Sequence, residues 1–271
     1  MRKIALIFAG GVGQRMGANI PKQFLKVYNK EIIIHTIEKF QYTKQIDKIY
    51  VGCKEEYISY LKELVKKYNI TKIPEDGIIP GGVTGQDTIY NLLVKARKEN
   101  DGDSIVLIHD GVRPLITDEL IEENIKNVIK YGTSITCSPC TETPVVSNDG
   151  KVIDNILKRN TVYIAKAPQC FILDEIIAAH NKVRNTELGY NDKKIVDSCS
   201  LYMSTGKKIH LTEGNRENIK VTTVEDYISL LATLSVEDQK QIFILKEQER
   251  GKYEQSNWRR CNSDNKWQSN G

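Results

Sequence analysis

The chain has 271 residues, of which 40% are hydrophobic and 27% charged, and a formal net charge of +4. That balance fits a globular protein with a substantial core, in one large domain or two small ones. It is too nearly neutral for a nucleic-acid surface unless cations cluster, and the basic runs, such as Lys66-Lys67 and Arg259-Arg260, are short.

No stretch approaches the roughly 18 to 20 apolar residues of a membrane span, and Met1-Arg2-Lys3 leads straight into an apolar run instead of a signal peptide. Neither a nucleic-acid nor a membrane partner is expected, and the cytoplasm is the expected compartment. The six cysteines are scattered, and Cys137-Ser-Pro-Cys140 lacks the second pair or nearby histidines of a zinc site, so a structural thiol pair is expected.

The first element, Lys3 to Ala9, reads as a buried parallel strand. It runs into a glycine-rich turn, Gly10-Gly11-Val12-Gly13-Gln14-Arg15-Met16-Gly17, followed by Pro21-Lys22-Gln23. Such a turn brings backbone N–H groups close to a phosphate chain, and Arg15 and Lys22 can both reach charge that develops during transfer. The turn lacks the Gly-Lys-Ser/Thr of a Walker A loop and the third glycine of a dinucleotide fingerprint.

Helix and strand then alternate: a helix over Ile32 to Phe40, a strand over Lys48 to Val51, a helix over Glu55 to Tyr68 and another over Gln86 to Lys98. A strand over Ser104 to His109, a helix over Thr117 to Tyr131 and a strand over Thr133 to Cys137 continue the rhythm. This order implies an α/β fold with a mostly parallel sheet, right-handed crossovers and helices on both faces. Between Thr141 and Val162 the rhythm breaks, and Val145-Val146 and Val152-Ile153 flank an Asn148-Asp149-Gly150 turn, the pattern of a β-hairpin. A helix over Leu173 to Val183, late strands over Lys208 to Leu211 and Ile219 to Val221, and a helix through about Leu234 complete the fold. Beyond about Lys246 the chain is polar and aperiodic and is expected to be disordered, with Trp258 and Trp267 in no apolar pattern.

Four further clusters fall at expected carboxyl ends of strands or beside them, where open α/β sheets bind ligands. They are Gly81-Gly82-Val83-Thr84-Gly85-Gln86-Asp87-Thr88, His109-Asp110-Gly111-Val112-Arg113-Pro114, Ala165-Lys166-Ala167-Pro168-Gln169, and Glu213-Gly214-Asn215 through Asn218-Ile219-Lys220-Val221-Thr222. Together with the opening turn, their order and spacing closely resemble the cytidylyltransferases that join CTP to a polyol phosphate. That group includes the methylerythritol-phosphate enzymes of isoprenoid synthesis and the ribitol-phosphate enzymes of teichoic-acid and capsule synthesis. The resemblance covers about Lys3 to Leu234.

The resemblance implies a Rossmann-like, doubly wound sheet of the nucleotide-diphospho-sugar transferase type over 1–236. An inserted arm would span about 141–163, and 237–271 would be a C-terminal extension. It also implies that Arg15, Lys22 and Lys220 are the catalytic cations, and that Ala9, Gly10, Gly11, Gly13, Gly81, Gly82, Thr88 and Asp110 bind the nucleotide. Asp110 would in addition hold Mg2+ on the phosphates. Arg159, from the arm of a second subunit, would bind the polyol phosphate alongside Asp110, Arg113 and Asp197, making a homodimer part of the site. His109 is expected to be structural.

One departure is Gly85, where many relatives carry an arginine, and Thr88 stands for a more usual serine. His-Asp-Gly-Val-Arg-Pro, Ala-Pro-Gln and Asp197-Ser198-Cys199-Ser200 are more similar to the ribitol-phosphate branch than to the methylerythritol branch. Two other classes stay open on the residues alone. A nucleotide-binding regulator without turnover is disfavoured by the intact cations, and a dinucleotide-dependent oxidoreductase by the missing third glycine.

Overall fold

The computed structural model of the chain describes residues 1–11 and 20–238. The expected roles of Gly13 and Arg15 and the expected disorder of the tail therefore lie outside the described residues. Two compact units are present, Met1–Thr223 and Val224–Gly271. In the second, α7 spans Val224–Asp238, with Glu225 and Asp226 in its first turn, where acidic side chains suit the helix dipole.

The first unit opens with β1 (Lys3–Ala9), a small β2 (Lys26–Val27) and β3 (Lys30–Glu31) hairpin, and α1 (Ile32–Tyr42). Then come β4 (Lys48–Cys53), α2 (Ile58–Lys67), β5 (Ile78–Pro80), α3 (Gly85–Glu99) and β6 (Ile105–Asp110). Next are α4 (Asp118–Tyr131), β7 (Thr133–Pro139), and the arm strands β8 (Val145–Val146) and β9 (Asn155–Ile156). The unit closes with β10 (Tyr163–Ile172), α5 (Leu173–Arg184), α6 (Ser198–Ser204) and β11 (Leu211–Glu213).

Seven strands form one sheet in the order β11-β7-β10-β6-β1-β4-β5. Alternation along each central strand sends side chains to opposite faces, so the sheet divides its core in two. Ala5 and Ile7 of β1 and Leu107 of β6 pack with α1, α2 and α4, whereas Ile4 and Leu6 of β1 and Val106 and Ile108 of β6 pack with α3, α5 and α6. Helices on both faces explain why the middles of the central strands are apolar.

Register is what positions the site. Phe8 pairs with Gly52 and with Asp110, Ala9 with Cys53, and Cys53 with Pro80, so the carboxyl ends of four parallel strands stop at one level. The turns that leave β1, β4, β5 and β6 emerge side by side.

Several expectations need correction. The arm pairs Val145 with Ile156 and Val146 with Asn155, three residues further along than the turn chemistry implied. Asp149 accepts from the backbone N–H of Lys151 and Val152, and Asp154 from that of Asn148, which stabilises a wider loop and leaves Val152 and Ile153 exposed. β10 was not visible in the sequence. It lies antiparallel between β6 and β7, and its register shifts between Ala165 and Gln169, where Pro168 has no N–H to donate to a ladder.

The late strand sits at Leu211–Glu213, and Ile219 to Val221 is a loop tied to the site by a Val221 N–H bond to the Val112 carbonyl. The short α6, capped by Asp197, was also missed. Cys137 and Cys140 are free thiols, the first buried in β7 and pushed up to about 11 by burial.

Candidate active site

A cavity of about 770 Å³ opens above the aligned strand ends. Its floor is backbone: Ala9, Gly10 and Gly11 after β1, and Gly81 and Gly82 after β5. Both turns converge on Thr88 of α3. A Cβ placed on Gly10 or Gly81 would lie 3.3 and 3.0 Å from its Oγ1, and a Cβ on Gly82 would lie 2.2 Å from that of Asp87. The Thr88 hydroxyl donates to the Thr84 carbonyl and accepts from the Gly82 N–H, so it shapes the turn and keeps one acceptor lone pair. Thr84 caps α3 in a reciprocal box with Asp87, which points the helix N-terminus at the cavity. A Cβ on Gly85 would meet nothing within 4 Å.

Lys22 also lines this cavity. It sits in a single 3-10 turn, Lys22–Phe24, held on one side by Gln23 donating to the Ala9 carbonyl at 2.7 Å and on the other by Phe24 stacked on Tyr57 at 4.9 Å. The Pro21-Lys22-Gln23 motif thus fixes a cation against the end of β1.

Asp110, at the last position of β6, is 5% exposed. Lys220 reaches one carboxylate oxygen at 2.6 Å and Arg113 the other at 2.7 Å. Burial alone would raise the Asp110 pKa, but the two cations outweigh it and hold the carboxyl below its usual range. Arg113 also donates to the Asn218 carbonyl at 2.9 Å, and Asn218 donates to the Ala167 carbonyl at 2.8 Å, which fastens the loop carrying Lys220. His109 is fully buried beneath this turn, donates from Nε2 to the Arg113 carbonyl at 3.1 Å, and is pushed down to about 4 by burial. Its place is structural.

A second cavity, of about 490 Å³, shares Phe8, Thr84, Gly85, Asp110 and Lys220 with the first and extends between Lys166, Arg113, Tyr190 and the start of α6. Asp197 lines it, but one carboxylate oxygen takes the Ser200 N–H at the α6 N-cap and the other takes Gln169 at 2.7 Å. Two cavities therefore meet at one carboxylate and one ammonium. This geometry suits two anionic ligands whose reacting ends come together over Lys220 and Asp110.

A family model described as IspD, 2-C-methyl-D-erythritol 4-phosphate cytidylyltransferase, matches residues 3–236. The chain belongs to this family. It is similar over 241 residues, at 45% identity, to a ribitol-5-phosphate cytidylyltransferase of Vibrio parahaemolyticus, covering 89% of this chain and 99% of that one. A 2-C-methyl-D-erythritol 4-phosphate cytidylyltransferase of Clostridium botulinum is 34% identical over 223 residues, or 82% of this chain and 93% of that one. Among solved structures, 4-diphosphocytidyl-2C-methyl-D-erythritol synthase from Anaerococcus prevotii superposes with a TM-score of 0.71 at 27% identity, covering 86% of this chain and 96% of that one. The doubly wound fold and the cytidylyltransferase class expected from the motifs are both borne out.

In this cytidylyltransferase, Ala9, Gly10, Gly11, Lys22, Gly81, Gly82, Thr88, Asp110 and Lys220 all line the larger cavity. Arg113 and Asp197 line the smaller one, and Arg159 lines neither. Arg159 sits exposed in a 3-10 turn at the base of the arm and donates to the Thr141 carbonyl at 3.3 Å. Sequence reasoning missed Lys54 and Lys166. Lys54 directly follows β4, and a cation at the carboxyl end of a parallel strand is a signal that was there to be read. Lys166 lies within a quoted motif, but β10, which turns it into the smaller cavity, was not foreseen.

Proposed function

We propose that the protein transfers the cytidylyl group of CTP to D-ribitol 5-phosphate, releasing pyrophosphate and forming CDP-ribitol. The observation that carries the reading is the meeting of two cation-lined cavities at Asp110 and Lys220, together with the 45% identity to a relative named for that acceptor. Triphosphate would occupy the backbone-lined cavity, with its α-phosphate beside Lys220, its outer phosphates on Lys22, and Arg15 as a further cation. Gly81, Gly82 and Thr88 would face the base. An oxygen of the acceptor's phosphate attacks the α-phosphorus, and the bond from that phosphorus to the oxygen bridging to the β-phosphate breaks. The nucleophile is already anionic, so no general base is needed, and positioning and charge neutralisation carry the rate.

A magnesium ion brought by CTP fits this site. Asp110 stays ionised and uses one lone pair on each oxygen for Lys220 and Arg113, leaving further lone pairs for one metal bond, and magnesium on phosphates commonly takes only one or two protein carboxylates. When bound it would neutralise phosphate charge. Chelation with EDTA is expected to stop pyrophosphate release, and unchanged release would remove the metal from the account.

The arm supports a homodimer. Val152, Ile153 and Ile156 are 61%, 59% and 62% exposed, which a second copy would cover while presenting its Arg159 to the acceptor. Sedimentation of a monomer at assay concentration would remove that reading. Cytoplasmic location and a role in supplying teichoic-acid or capsule polymers fit the same product.

The test is steady-state pyrophosphate release with CTP, magnesium and either ribitol 5-phosphate or 2-C-methyl-D-erythritol 4-phosphate. The first is expected to be turned over with the higher kcat/KM. Preference for the second, the acceptor named in the family description, would reverse the assignment, and release with neither would end it.

A further inference from the structure

The charges around the smaller cavity do not balance, and the imbalance points to one residue. Arg113 and Lys220 share the single negative charge of Asp110. Lys166 has no carboxylate within ionic reach among the described residues. Its ammonium donates to two backbone carbonyls, those of Asn215 at 3.2 Å and Arg216 at 3.1 Å. An ammonium carries three N–H groups, so one remains for a ligand. The group is half-buried in the cavity wall, where burial, followed by the repulsion of Arg113 and Arg216, pushes its pKa down. The two carbonyl bonds offset the cost of holding a cation there only in part, and no carboxylate among the described residues neutralises it.

We propose that Lys166 is a binding cation for the phosphate of the acceptor, so that the incoming phosphate monoester supplies the counter-charge this ammonium lacks. The inference rests on the two-cavity reading above and adds a residue to it. It divides labour between cations: Lys22 serves the triphosphate, Lys220 stands at the junction, and Lys166 acts on the acceptor side. The two carbonyl bonds give Lys166 a fixed location, because Asn215 in turn accepts the Asn218 N–H with its side chain at 3.2 Å. The same bonds raise a structural alternative, in which Lys166 merely steadies the loop that leads to Lys220.

Substitution separates the two. Lys166→Gln keeps an amide that can donate to the loop carbonyls but removes the charge, whereas Lys166→Arg keeps the charge. Lys166→Gln is expected to raise the acceptor KM about 10- to 100-fold, as loss of a charge-assisted contact to phosphate does, with the CTP KM within about threefold of the unsubstituted protein. Lys166→Arg is expected to recover most of the loss. Equal changes in both KM values, a fall in kcat alone, or an unchanged acceptor KM in Lys166→Gln would overturn the proposal.

Should neither polyol phosphate be turned over by the unsubstituted protein, the functional reading fails on its own, and Lys166 is then judged by binding. Calorimetric titration with inorganic phosphate, with a non-hydrolysable CTP analogue present, is expected to show at least about tenfold weaker binding to Lys166→Gln. Equal binding would overturn it.

Discussion

The two cavities that meet at Asp110 are made of different material. The larger is floored by the backbone of Gly10, Gly11, Gly81 and Gly82, with Gly10 and Gly81 within contact distance of Thr88 and Gly82 against Asp87, while the smaller is walled by the side chains of Arg113, Lys166, Tyr190 and Asp197. A backbone floor demands glycine at fixed places, since any Cβ at Gly82 would overlap Asp87. A side-chain wall makes no such demand and draws its residues from β6, β10, α6 and the loops beside them. On the proposed reading, glycine holds the nucleotide end to one ligand class, and the acceptor end is the part that sequence change can retune.

The junction should break both functions at once and produce the largest effect. Lys220→Met is expected to lower kcat about 10²- to 10³-fold while both KM values move little, because charge that acts mainly in the transition state is lost. Steady-state pyrophosphate release checks this, and a loss confined to either KM would place Lys220 in one cavity only.

Gly82→Ala should damage the nucleotide end selectively. The added Cβ must displace Asp87 or the turn itself, so the CTP KM is expected to rise at least about tenfold with the acceptor KM nearly unchanged. Parallel shifts in both would contradict the separation of the two cavities.

A gentler change is Gly85→Arg, at a position that lines both cavities. Open space surrounds this position, so the substitution should fold and lower the CTP KM by less than about tenfold by adding a cation near the triphosphate. A higher CTP KM would mean that the glycine is needed for access.

The last effect concerns stability beside the smaller cavity and not turnover. His180 of α5 is fully buried, bonds the Tyr190 hydroxyl, and is pushed down to about 3 by burial first and then by Arg184, with Asp87 opposing. Its folded pKa lies below the unfolded value near 6.5, so its contribution is present above pH 6.5 and is lost as pH falls toward 3. About 2 kcal/mol of stability should be lost by pH 5, read by denaturant titration, and His180→Asn should flatten that dependence. An unchanged slope in the variant would assign the acid sensitivity elsewhere.

Legibility in the sequence followed the same division. The parallel strands, the helices facing them and the glycine turns could be read because apolar periodicity and glycine spacing are local. Lys22 and Asp110 lie in the site as expected because each ends or directly follows a local motif. Three features were missed for want of a local signal. β10 is interrupted near Pro168 and takes its place only by pairing with β6 and β7. The short α6 depends on a cap that Gln169, 28 residues away, also bonds. The Lys166 ammonium is placed by the carbonyls of residues 215 and 216, about 50 positions along the chain. The arm register shifted because Asp149 and Asp154 side chains organise its loop more widely than the Asn-Asp-Gly turn implied.

The preference for ribitol 5-phosphate is tested most directly by letting the two acceptors compete. With equimolar ribitol 5-phosphate and 2-C-methyl-D-erythritol 4-phosphate, limiting CTP and magnesium, the ratio of the two cytidine diphosphate products can be read by mass spectrometry. CDP-ribitol is expected to dominate by at least about tenfold. A majority of the methylerythritol product would contradict the assignment while leaving the nucleotide cavity as described.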